Sequence, residues 1–314
     1  MIRSLLATVL AVGLAATPTV AAEWSYTDGS GRTVTLDQTP TRIIASQDAA
    51  AGLIPLGIRP VGIYADSPIS EAKALEGLDL SGIEIIGETW GEVNIEKAAA
   101  LKPDLIVGEW WPLESVWSGG GDLNTAIKAI APLTGPTQGA SILTLIEDYE
   151  TLAASLGADL SVPSVAADKA AFEASLAKFK AAVAAKPNLT VLPVWAGTDA
   201  LYVAATEGSS ELMDFANWGL KLISPEVADD RGYWETLSWE QADKYQPDLV
   251  IVDNRSSTTI DTARAQPMWT SIKAAEANQV ADWPAFWLRN YRAYAGALDK
   301  LTAAIEAADE NLSN

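Results

Sequence analysis

The chain has 314 residues, nearly half of them hydrophobic, and a formal net charge of −20. It contains neither cysteine nor histidine, which excludes disulfides, thiolate or imidazole metal ligands and any Ser-His-Asp hydrolase. The acidic balance argues against nonspecific binding to nucleic acid or to an anionic membrane surface.

The N-terminus opens with Met1-Ile2-Arg3, an apolar run from Leu5 to Ala16, and the small-residue segment Val20-Ala21-Ala22. That order reads as a secretory signal peptide over residues 1–22, cleaved after Ala22. Its apolar run is too short to span a bilayer comfortably. With no cysteine, no lipid-anchored N-terminal Cys is expected.

Residues 24–36 alternate around a Gly-rich turn and predict a hairpin. Arg42–Ala45, Pro60–Tyr64 and Glu84–Gly87 read as buried strands separated by short helical stretches, the pattern of a parallel sheet. A fourth strand comes from a unit that occurs twice. Residues 93–108 read VNIEKAAALKPDLIVG and residues 237–253 read LSWEQADKYQPDLVIVD. Each copy predicts a short helix, a Pro-Asp-Leu turn and a strand buried on both faces, because its apolar run does not alternate. Asn94 and Ser238 stand as N-caps, and Ser238 with Gln241 fits a capping box. Ser118–Asp122 reads as a loop without the Lys-Ser/Thr of a phosphate-binding loop.

Residues 141–157 look helical. From Val165 to Lys186 an Ala-rich stretch places Phe172, Leu176, Phe179 and Val183 at helical spacing. At 1.5 Å per residue that is a rod of roughly 33 Å, long enough to bridge two lobes. Leu189–Trp195 and Ala200–Ala205 read as strands, Ser210–Gly219 as a helix, Val280–Trp283 as a last strand and Leu288–Ala308 as an amphipathic helix. The expected organisation is an α/β chain of two Rossmann-like lobes joined by one long backbone helix. The lobes cover 23–140 and 188–314, with linking helices over 141–187.

Open α/β sheets bind ligands beyond the carboxyl ends of their strands. Those ends carry Trp90, Trp110 and Trp111 in the first lobe. In the second they carry Trp195, Arg231, Trp234, Arg255, Trp283 and Trp287. Twelve Trp against four Phe is an unusual ratio, and indoles suit flat or bulky ligands; the plain alternative is that each caps the core. Glu96 and Glu240 open the two repeat helices, where a carboxylate is favoured by the helix dipole whether or not it has a function.

The segments Arg42–Ile44 with Leu56–Ile63, and Asn94–Leu105 with its second copy, resemble periplasmic iron–siderophore and vitamin B12 binding proteins. The tail from Gln266 through Trp283-Pro284-Ala285-Phe286-Trp287 to Leu301 looks most like the iron(III)-hydroxamate branch. The resemblance implies a class III periplasmic binding protein: two α/β lobes on one rigid helix, with a shallow cleft. Such a monomer would hand a ferric siderophore to an inner-membrane ABC permease dimer and its ATPase subunits. It implies no catalysis and no resident cofactor, since the iron arrives inside the siderophore. In that family one Glu on each lobe pairs with permease arginines, and the matching positions are Glu96 and Glu240.

The chain departs from the hydroxamate pattern in the first-lobe loop, where Trp90 stands and no Arg does. Its candidate loops hold only Arg231, Arg255 and Arg289, beside Glu109, Asp253 and Asp282. This favours a neutral or cationic complex, such as a trihydroxamate, over an anionic tris-catecholate. A corrinoid is the alternative ligand. A secreted glycoside hydrolase using Glu109 and Asp253 is the remote alternative.

Overall fold

In each lobe the strand that begins at the Pro-Asp-Leu turn lies next to the central strand of the sheet. The computed structural model describes residues 23–28, 31–111, 120–226, 229–230, 232–256 and 259–313. The signal segment 1–22 and Arg231 lie outside the described residues.

In the first lobe, β1 (Trp24–Thr27) and β2 (Thr33–Leu36) form the expected antiparallel hairpin. Then follow β3 (Ile43–Ser46), α1 (Gln47–Leu53), β4 (Gly62–Ala65), β5 (Glu84–Glu88), α2 (Ile95–Ala100), β6 (Leu105–Val107), α3 (Gly120–Lys128) and β7 (Leu133–Thr134). The five strands β5-β4-β3-β6-β7 pair in parallel. The Asn94 side chain accepts from the Lys97 N–H and caps α2. The segment read as a loop over Ser118–Asp122 is already helical from Gly120.

Two helices connect the lobes: α4 (Ile142–Ser155) and the 23-residue α5 (Pro163–Ala185). Pro163 opens α5 where its missing N–H costs nothing, and an Ala-rich interior sustains it. Near its start Val165 lines a small cavity with Gly52, Leu56 and Ile146 of the first lobe and its linker. Farther along, Phe172 and Phe179 pack on Phe215, Trp218 and Tyr294 of the second.

The second lobe comprises β8 (Thr190–Ala196), β9 (Ala200–Ala204), α6 (Ser210–Asn217), β10 (Lys221–Leu222), β11 (Trp234–Ser238), β12 (Leu249–Asp253), α7 (Thr259–Ala265), α8 (Lys273–Glu276), β13 (Val280–Trp283) and α9 (Tyr291–Ala307). Its sheet runs β11-β9-β8-β12-β13, with β10 beside the start of β8. Unlike the first sheet it is mixed. The three residues between β8 and β9 allow only a hairpin, so β9 runs antiparallel to both β8 and β11.

The repeat is a structural device in both lobes. The Asp104 carboxylate accepts the N–H groups of Thr41 and Arg42, both at 2.9 Å, and so ties the start of β6 to the chain entering β3. Asp248 does the same for Thr190 at the start of β8, also at 2.9 Å. The copies differ in their helices. Residues Trp239–Lys244 form a 3-10 rather than an α-helix, and Ser238 makes no capping box. Its hydroxyl bonds the Glu240 carboxylate instead.

Candidate functional site

The aromatic side chains gather at the seam between the lobes. On β8 and β9, alternate residues face alternate sides of the sheet. Leu192, Val194, Leu201 and Val203 fill the outer core of the second lobe, which turns Trp195 and Tyr202 to the opposite, inter-lobe face. Their rings lie 4.5 Å apart. Trp234, opening β11, contacts both, and Trp283 lies 5.9 Å beyond Trp234. Phe286 continues the series, 5.9 Å from Trp283 and 5.8 Å from Trp111 of the first lobe. Trp111 donates its indole N–H to the Tyr233 hydroxyl at 2.8 Å. A continuous wall of rings thus crosses from one lobe to the other.

Phe286 is fixed at some cost. It adopts a left-handed backbone with φ of 61°, unusual for a bulky residue. Its N–H is held by the Glu211 carboxylate at 2.8 Å. Glu211 is fully buried, and that burial raises its pKa. Strain of this kind persists where surrounding structure over-determines it, often at ligand sites.

Beside Phe286, Arg255 stacks its guanidinium 4.8 Å from the ring centroid and pairs with the buried Asp253 at 2.6 Å. Burial raises the Asp253 carboxyl while Arg255 opposes that shift. Trp287 donates to the Asn254 side chain at 2.7 Å.

Two of the expected Trp residues are not at the surface of the seam. Trp110 is 2% exposed and sits in the outer core of the first lobe, under the Arg32 guanidinium at 3.5 Å. Trp283 is completely buried and supports Trp234 and Phe286 from behind. Trp90, by contrast, is 50% exposed in the turn after β5. Trp111, Trp195, Trp234 and Trp287 are half-buried along the seam. Glu96 and Glu240 are exposed, each in the first turn of its repeat helix.

Sequence reasoning placed Arg289 and Glu109 among the ligand-facing loops. They are instead buried together between the lobes, 2% and 1% exposed, with Arg289 Nε donating to Glu109. The Tyr149 hydroxyl donates to the same Glu109 oxygen at 3.1 Å. Gly52 leaves room for this, since a Cβ there would come within 2.6 Å of the Tyr149 ring. Asp48 completes the cluster, and burial raises its carboxyl to about 8 against the pull of Arg289. Burial opposes the charge on Arg289 as well, but Glu109 and Asp48 outweigh it and raise its pKa. Neither Glu109 nor Asp253, the pair a glycosidase would need, presents a free carboxylate to the seam.

Comparison with known proteins agrees with this architecture. The chain is 31% identical to DesE, a ferric-siderophore receptor protein from Streptomyces coelicolor; the match covers 91% of this chain and 99% of that one, with a TM-score of 0.83. It is 27% identical to the Fe(3+)-citrate-binding protein YfmC of Bacillus subtilis (strain 168), over 81% of this chain and 76% of that protein. FhuD2 from Staphylococcus aureus, solved with bound ferrioxamine B, shares the fold at 20% identity and a TM-score of 0.61, over 87% of this chain and all of that one. Residues 85–285, which hold both copies of the repeat and the ring wall from Trp111 to Trp283, match the family model described as periplasmic binding protein, and the chain belongs to that family.

Proposed function

We propose that the protein captures a ferric siderophore, as a neutral or cationic hydroxamate complex, at the ring wall between its lobes and delivers it to an inner-membrane ABC importer. The observation that carries this reading is the charge state of the wall. Trp111, Tyr233, Trp234 and Phe286 offer apolar faces from both lobes, while Arg255 is neutralised by Asp253 and Arg289 is buried against Glu109. A multiply anionic chelate gains little from such a surface; a bulky, uncharged or cationic organic shell gains contact area and ring stacking. The similarity to DesE, a ferric-siderophore receptor, and to YfmC, a ferric-citrate binder, supports iron complexes as the ligand class.

On this reading the leader is removed after Ala22 and the mature monomer works in the periplasm. Trp90, Trp111, Trp195, Trp234, Trp287 and Arg255 face the ligand, joined by Arg231. Glu96 and Glu240 dock arginines of the permease dimer. Exposed ion pairs are individually weak, so docking is reversible and salt-sensitive.

Titration of intrinsic Trp fluorescence with ferrioxamine B, ferric citrate, a ferric catecholate and cyanocobalamin tests the reading. Saturable quenching by the trihydroxamate, with weaker responses to the anionic complexes, is expected. Preference for ferric citrate or the catecholate would overturn the charge argument, and preference for cyanocobalamin would move the protein to corrinoids.

A further inference from the structure

Next to the ring wall lies a pocket that the wall does not need. Its volume is ≈ 350 Å³, and it opens between the first-lobe loop after β4 and the second-lobe loop after β12. Ser67, Ser70, Glu71, Lys73 and Glu76 line one side and Arg255 the other. The Glu88 carboxylate accepts the Ile69 N–H at 2.9 Å and ties the lining loop to the end of β5. At the low end of volumes that hold a whole organic ligand, it suits an arm rather than a metal chelate.

Among the described residues, one of its charges has no ion-pair partner. Lys73 pairs with Glu76 at 3.0 Å, and Arg255 pairs with Asp253 at 2.6 Å. Glu71 makes no ion pair among the described residues. The four lining charges sum to zero, but Arg255 is taken up by Asp253 behind the lining. With Asp253 counted, the cluster carries one surplus negative charge and Glu71 is the lining charge left without an ion pair, in a pocket reached from the wall past Arg255, which touches Phe286 on one side and the pocket on the other.

Building on the proposed ligand class, we propose that this pocket receives a flexible pendant arm of the bound iron chelate ending in a primary ammonium, with Glu71 as its counter-charge. Glu71 is then a specificity residue: it selects among chelates of one class by the charge at the end of the arm, while the ring wall holds the chelate core. The converse occupant, an arm ending in a carboxylate, would meet Lys73 and Arg255 already satisfied and Glu71 repelling it.

The test uses three ligands with one iron centre: ferrioxamine B, whose arm ends in an ammonium, its N-acetyl derivative, and its N-succinyl derivative, which ends in a carboxylate. Affinities are measured by Trp quenching at low ionic strength on the wild type and on Glu71→Gln, an exposed substitution that leaves the core intact. The wild type should bind the ammonium form about two- to five-fold tighter than the acetyl form, as an exposed ion pair allows. Glu71→Gln should erase that ratio without weakening the acetyl form. A ratio that survives Glu71→Gln, or tighter binding of the succinyl form, overturns the assignment. A wild type that binds none of the three overturns the ligand class itself and this inference with it.

Discussion

Arg289 and Glu109 stand 180 residues apart in the chain, yet they form a single buried ion pair between the lobes. Glu109 follows β6 of the first lobe, and Arg289 precedes α9 of the second. Asn290, the next residue, donates to the Ala51 carbonyl at 3.1 Å and caps α9 through the Ala293 N–H. The junction is therefore a rigid, polar joint set inside an apolar core that runs through both lobes. Removing one partner strands a buried charge. Arg289→Met should destabilise the protein by about 3–5 kcal/mol, and Arg289→Met with Glu109→Leu should recover most of that loss. Urea unfolding of the three proteins measures it; equal stability of the single and double variants would show that the stranded carboxylate is not the cause.

Asp48 should give stability an unusual pH dependence. Its folded carboxyl titrates near 8 against an ordinary value of 3.8, chiefly through burial. The folded state thus keeps a proton that the unfolded chain has lost, so this contribution is complete below pH 3.8 and disappears as pH rises through 8. Stability should fall by up to about 1.4 kcal/mol per pH unit inside that window. Unfolding at pH 5, 6, 7 and 8 should show a steeper decline for the wild type than for Asp48→Asn. Parallel curves would remove Asp48 as the source.

The adjacent residues Trp110 and Trp111 should separate stability from binding. Trp110→Ala opens a cavity in the first-lobe core and should cost about 3–5 kcal/mol. Trp111→Ala removes a half-buried ring at the seam and should weaken trihydroxamate binding roughly ten-fold, with a much smaller stability loss. Thermal melts and quenching titrations on both variants check this. Unchanged affinity in Trp111→Ala would take the ring wall out of the binding site.

Glu96 and Glu240 project from the surface and contribute nothing to the seam. Replacing both with Ala should leave ligand affinity within about two-fold and abolish uptake in cells that depend on this protein. Normal uptake by the double variant would end the docking proposal.

Much of the fold was legible in the sequence because its signals are local. The non-alternating runs at Leu105–Val107 and Leu249–Val252 became buried interior strands, paired on both sides. Asn94 caps α2 as its type and position predict. The hydroxyl of Ser238 was less predictable: it bonds the Glu240 carboxylate and does not cap the helix backbone. The strand at Trp234–Ser238 gave no strong pattern of its own, and it exists because β9 presents an edge for it to pair with.

The amino-acid sequence by itself determined the two-lobed α/β plan, the duplicated helix–turn–strand unit and the family, since periodicity, caps and Pro-Asp turns act over a few residues. Only the tertiary structure decided which aromatic rings meet. Trp110 pairs with Thr137 in a parallel bridge, so the chain there is extended and neighbouring side chains point to opposite faces. One indole therefore enters the core and the next enters the seam. Which face becomes seam depends on where the other lobe lies, and that is fixed by contacts such as Arg289 with Glu109 that no local pattern announces.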